Sequence, residues 1–182
     1  MPKRERQGIK IINALKVFNR LKEKKVFEDY AVGGAIAVSY YVEPRATRDL
    51  DIFLLTDEEG YELTWKRLER LGYEHWEDSI IVEGVPVDIV SSNQHPFYEG
   101  AIRTSKKIRI GDTSIRIFTP EYLIATKLLV FRNKDKVDIY DLLKYEKIDV
   151  AELKDILSGG FAGEEELLIK RFYRILEEED QS

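Results

Sequence analysis

Asp49-Leu50-Asp51-Ile52 sets two carboxylates two residues apart in a run that alternates polar and apolar side chains. On a strand, residues two apart share a face, so Asp49 and Asp51 stand together while Leu50 and Ile52 point into a core. Two carboxylates that close repel each other and raise each other's pKa unless a cation lies between them. A hard cation such as Mg²⁺ resolves the conflict, taking one or two carboxylates and filling its shell with water and phosphate oxygens. Alternatively, the strand simply carries a charged outer face. Asp88, in Val87-Asp88-Ile89-Val90, is a third carboxylate on a second apolar run, and taken alone it would be an ordinary water-facing residue. Gly33-Gly34 follows the short apolar run Tyr30-Ala31-Val32. Such a pair is often a turn, but before a helix its bare backbone N–H groups can approach a phosphate. Three carboxylates on two strands behind a glycine loop are what two-metal phosphoryl chemistry requires. Two ions about 3.5–4 Å apart clamp a triphosphate and an attacking hydroxyl, and the third carboxylate bridges them or takes the proton.

These residues need a scaffold. Ile9, Ile12, Leu15, Phe18 and Leu21 recur at helical spacing and predict an amphipathic helix over about 8–25 with its basic side outward. Tyr30–Val32 and Asp49–Leu55 read as strands, with a buried helix over Ala35–Tyr41 that stops before Pro44. Glu58–Leu71 fits a helix with Gly72 as its C-cap. Ile80–Glu83 and Val85–Val90 read as strands joined at Gly84, and Lys107–Ile110 with Ser114–Phe118 as a hairpin about Gly111-Asp112. Thr119-Pro120 predicts an N-cap and first helical residue for a helix over about 120–132. Further helices are expected over about 136–146, 149–157 and 163–178. The expected fold class is α+β: a mixed β-sheet flanked by helices over residues 1–118, then a helical lobe over 119–182, the two forming one compact unit.

The elements in order resemble the nucleotidyltransferase superfamily. They are Val32-Gly33-Gly34, then Arg45-Ala46-Thr47-Arg48-Asp49-Leu50-Asp51-Ile52, then Val87-Asp88-Ile89. The Arg-x-Thr-x-Asp-x-Asp form looks most like small AbiEii-type toxins. Thr119-Pro120-Glu121-Tyr122-Leu123-Ile124-Ala125-Thr126-Lys127, followed by Arg132-Asn133-Lys134-Asp135 and Asp138, is similar to that group's helical segment. The resemblance spans about residues 30–145. It implies Asp49, Asp51 and Asp88 as catalytic residues and ligands of Mg²⁺ or Mn²⁺, and a triphosphate held by the Gly33-Gly34 backbone. It implies Lys127 facing the nucleotide phosphates, with Arg45 and Thr47 on the nucleotide side, shaping the loop before the strand. Arg132, Lys134, Asp135 and Asp138 match the later segment, where a helix start stabilised by acidic residues explains Asp135 and Asp138 equally well. The implied reaction moves a nucleoside monophosphate from an NTP to a hydroxyl of RNA, protein or a small molecule, releasing pyrophosphate, with a toxin–antitoxin role. One departure stands out: Ala35 follows the glycines where the superfamily commonly has Ser or Thr. It favours the alternative of a non-catalytic nucleotide-binding or protein-interaction module that keeps the fold.

Composition agrees with such a site. The 182 residues include no cysteine and only two histidines, His75 and His95. That excludes thiolate nucleophiles, Cys-ligated metals and three-histidine centres, and leaves any metal to carboxylates. No apolar run approaches the ~20 residues of a membrane span, and Met1–Arg6 leads into no signal-peptide core, so a cytoplasmic protein is expected. Charged residues make up 35% and there is one methionine, a composition that suggests a thermophilic source. The net charge of −5 hides a basic N-terminal end and an acidic C-terminal one, either a docking surface or two solvated helix faces. Arg103, Lys106, Lys107, Arg109 and Arg116 gather on the hairpin, either as a solvated face or as a contact for an RNA acceptor.

Overall fold

The computed structural model describes residues 3–43, 47 and 49–180. Among these residues the chain forms one mixed seven-stranded sheet with eight α-helices. The strands are β1 (Asp29–Val32), β2 (Leu50–Leu55), β3 (Glu74–Trp76), β4 (Ser79–Val82), β5 (Val85–Ser91), β6 (Lys106–Ile110) and β7 (Thr113–Ile117). Their order across the sheet is β3-β4-β5-β2-β1-β7-β6. β2 runs parallel to β5 and antiparallel to β1, while β1 and β7 are parallel. The helices are α1 (Lys3–Glu23), α2 (Gly34–Tyr41), α3 (Glu58–Arg70), α4 (Tyr98–Arg103), α5 (Pro120–Val130), α6 (Asn133–Tyr145), α7 (Val150–Ser158) and α8 (Glu164–Asp180). No helix among the described residues is long and apolar enough to cross a membrane.

Strand alternation divides the sheet into two unlike faces. Leu50, Ile52 and Leu54 of β2, Ile80 and Val82 of β4, and Val85, Val87 and Ile89 of β5 are buried on one face. α3 covers it: Tyr61 donates its hydroxyl hydrogen to the Ile89 carbonyl, and Trp65 stacks on His75, which sits opposite Ile80. The other face carries Asp51, Asp88 and Phe53. Phe53 packs against Tyr98 of α4 and Phe118, which closes that face over the middle of the sheet. Removing so much apolar surface from water on both faces of β2 is the main force holding the sheet together.

Several boundaries differ from those read in the sequence. α1 begins at Lys3, and its apolar stripe is buried only from Ala14 onward, leaving Ile9 exposed. Leu71 is the C-cap of α3, and Gly72 follows it at φ +86 in the left-handed conformation that ends the helix. Thr119 holds the N-cap position of α5 with Pro120 next, yet its hydroxyl makes no capping bond and is buried without a protein partner. α6 starts three residues early, at Asn133, so Asp135 lies in its first turn and Asp138 one turn further on. β3 and α4 have no counterpart in the sequence reading. All three β3 residues are exposed, so no apolar alternation marks it, and pairing with β4 alone makes it a strand. α4 is too short for a helical period to show.

Candidate active site

The parallel pairing of β2 with β5 puts Asp51 in register with Asp88, so both carboxylates leave neighbouring strands on the same face. The Ser79 hydroxyl at the start of β4 donates to Asp88 Oδ1, extending the row to a third strand. On the other side the Gly33 N–H donates to the Asp51 carbonyl at 3.0 Å, placing the glycine turn directly beside the pair. A Cβ on Gly34, whose φ is +57, would fall 1.7 Å from Asp51 Oδ2, so only glycine fits between the helix start and the carboxylate. The Gly33 amide is therefore occupied. The Gly34, Ala35 and Ile36 amides open α2, where no intrahelical carbonyl can reach them.

Electrostatics set the carboxylates of this constellation against one another. Asp51 has its pKa pushed up from 3.8 to about 6, first by burial, then by the charge of Asp88 and more weakly by that of Asp49, with Lys127 and Lys134 acting in the opposite direction. Asp49 stands exposed just ahead of β2, and Thr47 donates its hydroxyl hydrogen to the Asp49 carbonyl at 3.4 Å. Arg45 lies outside the described residues. Among those described, no three His, Cys, Asp or Glu side chains close into a ready-made cage. The donor set nonetheless suits Mg²⁺ or Mn²⁺, since it consists of hard carboxylate oxygens in mutual repulsion that a divalent cation would relieve.

α5 and α6 supply the cations. Phe131, at φ +56, turns the chain between them so that Lys127 meets the carboxylates of α6. Lys127 is 7% exposed, with Nζ 2.6 Å from Asp138 Oδ2 and 3.7 Å from Asp135 Oδ1. Asp135 also accepts the Arg132 backbone N–H at 3.0 Å and its Nε at 2.8 Å. Burial works against the Asp135 carboxylate, but these hydrogen bonds and the charge of Lys127 hold its pKa below the ordinary carboxylate range. Asp135 and Asp138 thus hold Lys127 and the start of α6 in place. Lys134, at the second position of α6, is exposed and its charge acts on Asp51, as does that of Arg132. Arg171 of α8 donates to the Leu128 and Leu129 carbonyls at 2.6 and 2.8 Å, anchoring the end of α5 from the acidic C-terminal helix.

The basic hairpin lies on the far edge of the sheet, with β2, β1 and β7 separating β6 from β5. Arg103 is paired with Glu28 and Glu99, and Arg116 with Ser105 and the Arg103 carbonyl. Lys106 stands 5.0 Å over the Tyr40 ring, while Lys107 and Arg109 are exposed. Ser79 carried no signal in the sequence, since only the pairing of β4 with β5 brings its hydroxyl to Asp88.

A glycine loop against paired strand carboxylates defines the class of nucleotidyltransferases, and comparison with known proteins supports it. The sequence profile of a family described as nucleotidyl transferase of unknown function matches residues 11–173, and the chain belongs to that family. No curated protein matches the chain. Among solved structures it is similar to an antigenic nucleotidyltransferase-like protein from Paracoccidioides brasiliensis, with a TM-score of 0.58 and 19% identity, over 82% of this chain and 85% of that one. It is also similar to the antibiotic-resistance factor ANT(2'')-Ia, with a TM-score of 0.53 and 10% identity, over 94% of this chain and 97% of that one. At these identities the likeness is one of fold.

Gly34→Ala is expected to cost about 1–3 kcal/mol through its left-handed backbone and to displace Asp51 as well. Thermal melts and Mg²⁺–NTP binding would both show the loss. Gly8→Ala, where a Cβ meets nothing within 4 Å, serves as the tolerated control.

Proposed function

We propose that the protein transfers a nucleoside monophosphate from an NTP to a hydroxyl acceptor in a reaction that depends on Mg²⁺ or Mn²⁺. The acceptor oxygen bonds to the α-phosphorus, the bond from that phosphorus to the bridging oxygen breaks, pyrophosphate leaves, and the acceptor proton passes to the Asp88 carboxylate. Asp49, Asp51 and Asp88 are the residues that would hold divalent cations, whose charge neutralises the triphosphate and activates the hydroxyl. The open amides at the start of α2 receive phosphate oxygens, and Lys134 and Arg132 supply positive charge from the α6 side. The observation that carries this reading is the in-register Asp51–Asp88 pair with Gly34 pressed against Asp51. Within the superfamily we place the chain near the AbiEii-type proteins on its Arg-x-Thr-x-Asp-x-Asp pattern, with a toxin role. Growth arrest on expression that Asp51→Asn relieves would support that role.

Incubation with α-labelled NTPs, Mg²⁺ and cell extract tests the activity. Label transfer that disappears in Asp88→Asn is expected. Ala35 favours a non-catalytic nucleotide-binding module instead, because the loop lacks a side-chain hydroxyl at that position. Nucleotide binding without transfer, unchanged in Asp88→Asn, would establish that module and remove the enzyme.

A further inference from the structure

A carboxylate that must offer one particular oxygen cannot rely on its own rotamer. The last torsion of an aspartate side chain is broad, so a neighbouring group has to fix the plane of the carboxylate. At Asp51 close packing does this, since Gly34 lies against Oδ2. Asp88 is half-buried on β5, between Val87 and Ile89, which leave by the other face. Among the described residues the Ser79 hydroxyl is the only group bonded to its carboxylate.

That bond depends on the pairing of three strands. Ile80 pairs with Val87 in the antiparallel β4–β5 ladder, so Ser79 falls opposite Asp88 and on the same face. The two-residue turn Glu77-Asp78, with Glu77 at φ +54, brings the chain back from β3 so that β4 begins at Ser79. A serine beside a turn commonly bonds nearby backbone, but this hydroxyl donates across the ladder to Asp88 Oδ1. β4 lies on the side of β5 away from β2. Oδ1 is therefore drawn away from Asp51, whose charge opposes that of Asp88. The donor is also uncharged. A lysine or arginine would pin the carboxylate as well, but it would neutralise it and repel a divalent cation. A hydroxyl fixes the direction and leaves the negative charge in place.

We infer that Ser79 is a positioning residue of the active site, whose hydroxyl turns the Asp88 carboxylate so that Oδ2 faces the space shared with Asp51. The inference rests on Asp88 as a carboxylate of the proposed transfer, and it adds a residue that touches neither NTP nor acceptor. Without the bond, Asp88 offers a correctly aimed oxygen only part of the time. Cation binding and turnover then both suffer, while the contacts to the nucleotide stay as they are.

A double-mutant cycle in Mn²⁺ affinity tests this without turnover. Ser79→Ala is expected to weaken Mn²⁺ binding about tenfold. Ser79→Thr, which keeps the hydroxyl on a side chain suited to a strand, should stay within about threefold of the wild type. In an Asp88→Asn chain, Ser79→Ala should change the remaining affinity by less than about twofold, because the carboxylate it positions is gone. In label transfer at saturating Mg²⁺, Ser79→Ala should lower kcat about tenfold and leave the KM for the NTP unchanged. Equal Mn²⁺ affinity in Ser79→Ala and the wild type, or no recovery in Ser79→Thr, would overturn the assignment. So would an equal loss in both backgrounds, which would show an effect that does not pass through Asp88. Mn²⁺ affinity that Asp88→Asn itself leaves intact would instead remove the site on which the inference rests.

Discussion

Asp51→Asn is expected to make the metal-free protein more stable at pH 7–8 and unable to hold Mg²⁺–NTP. In the folded chain the Asp51 pKa lies at about 6 against an ordinary 3.8, because burial, Asp88 and Asp49 all oppose its charge. A carboxyl whose folded pKa is raised is penalised when ionised. The folded state binds more protons than the unfolded one between about pH 4 and 6, so stability falls as pH rises through that window. Above it, the full penalty of about 3 kcal/mol remains. Asparagine carries no charge to penalise, so the variant's melting temperature should exceed that of the wild type by roughly 6–12 °C at pH 7.5. Near pH 4 the difference should vanish. Mn²⁺ should stabilise the wild type at pH 7.5 and leave the variant unmoved, since binding to the folded state alone raises stability. Equal melting temperatures at both pH values would show that the three carboxylates are not in conflict.

Lys127→Met carries the opposite expectation. Lys127, Asp135 and Asp138 are all nearly inaccessible, and the lysine neutralises two carboxylates at once. Removing one partner leaves buried charge uncompensated, at a cost of about 3–5 kcal/mol. Denaturant unfolding should report that loss, and Asp138→Asn in the same chain should restore part of it, the signature of coupled residues. Lys134→Ala provides the contrast, since Lys134 is exposed at the start of α6. It should change stability by less than about 0.5 kcal/mol while weakening Mg²⁺–NTP binding. If Lys127→Met unfolded at the wild-type midpoint, the ion cluster would have no structural weight.

The outline of the site was legible before any coordinates because its parts are local. The alternation around Asp49 and Asp51, the glycines after Tyr30–Val32 and the lone aspartate in Val87–Val90 each follow from chain periodicity within a few residues. Elements that owe their existence to partners were not legible. β3 has no apolar side to bury, and Thr119 shows a capping residue whose hydroxyl bonds nothing. Asp135 and Asp138 were equally consistent with a helix start and with a phosphate site. The turn at Phe131, which swings α6 back along α5, is what delivers them to Lys127.

By itself, then, the sequence determined the residue types: carboxylates rather than thiols or imidazoles, glycines ahead of a helix, and apolar strands to carry them. Tertiary structure alone decided which residues share a face. Strand order and register are set by burial across the whole sheet, and a shift of one residue would move every side chain to the other side. That register aligns Gly34, Asp51, Asp88 and Ser79 in a single row, with Lys127 and Lys134 acting on Asp51. It also sends the basic hairpin to the opposite edge, where no count of lysines and arginines could have placed it.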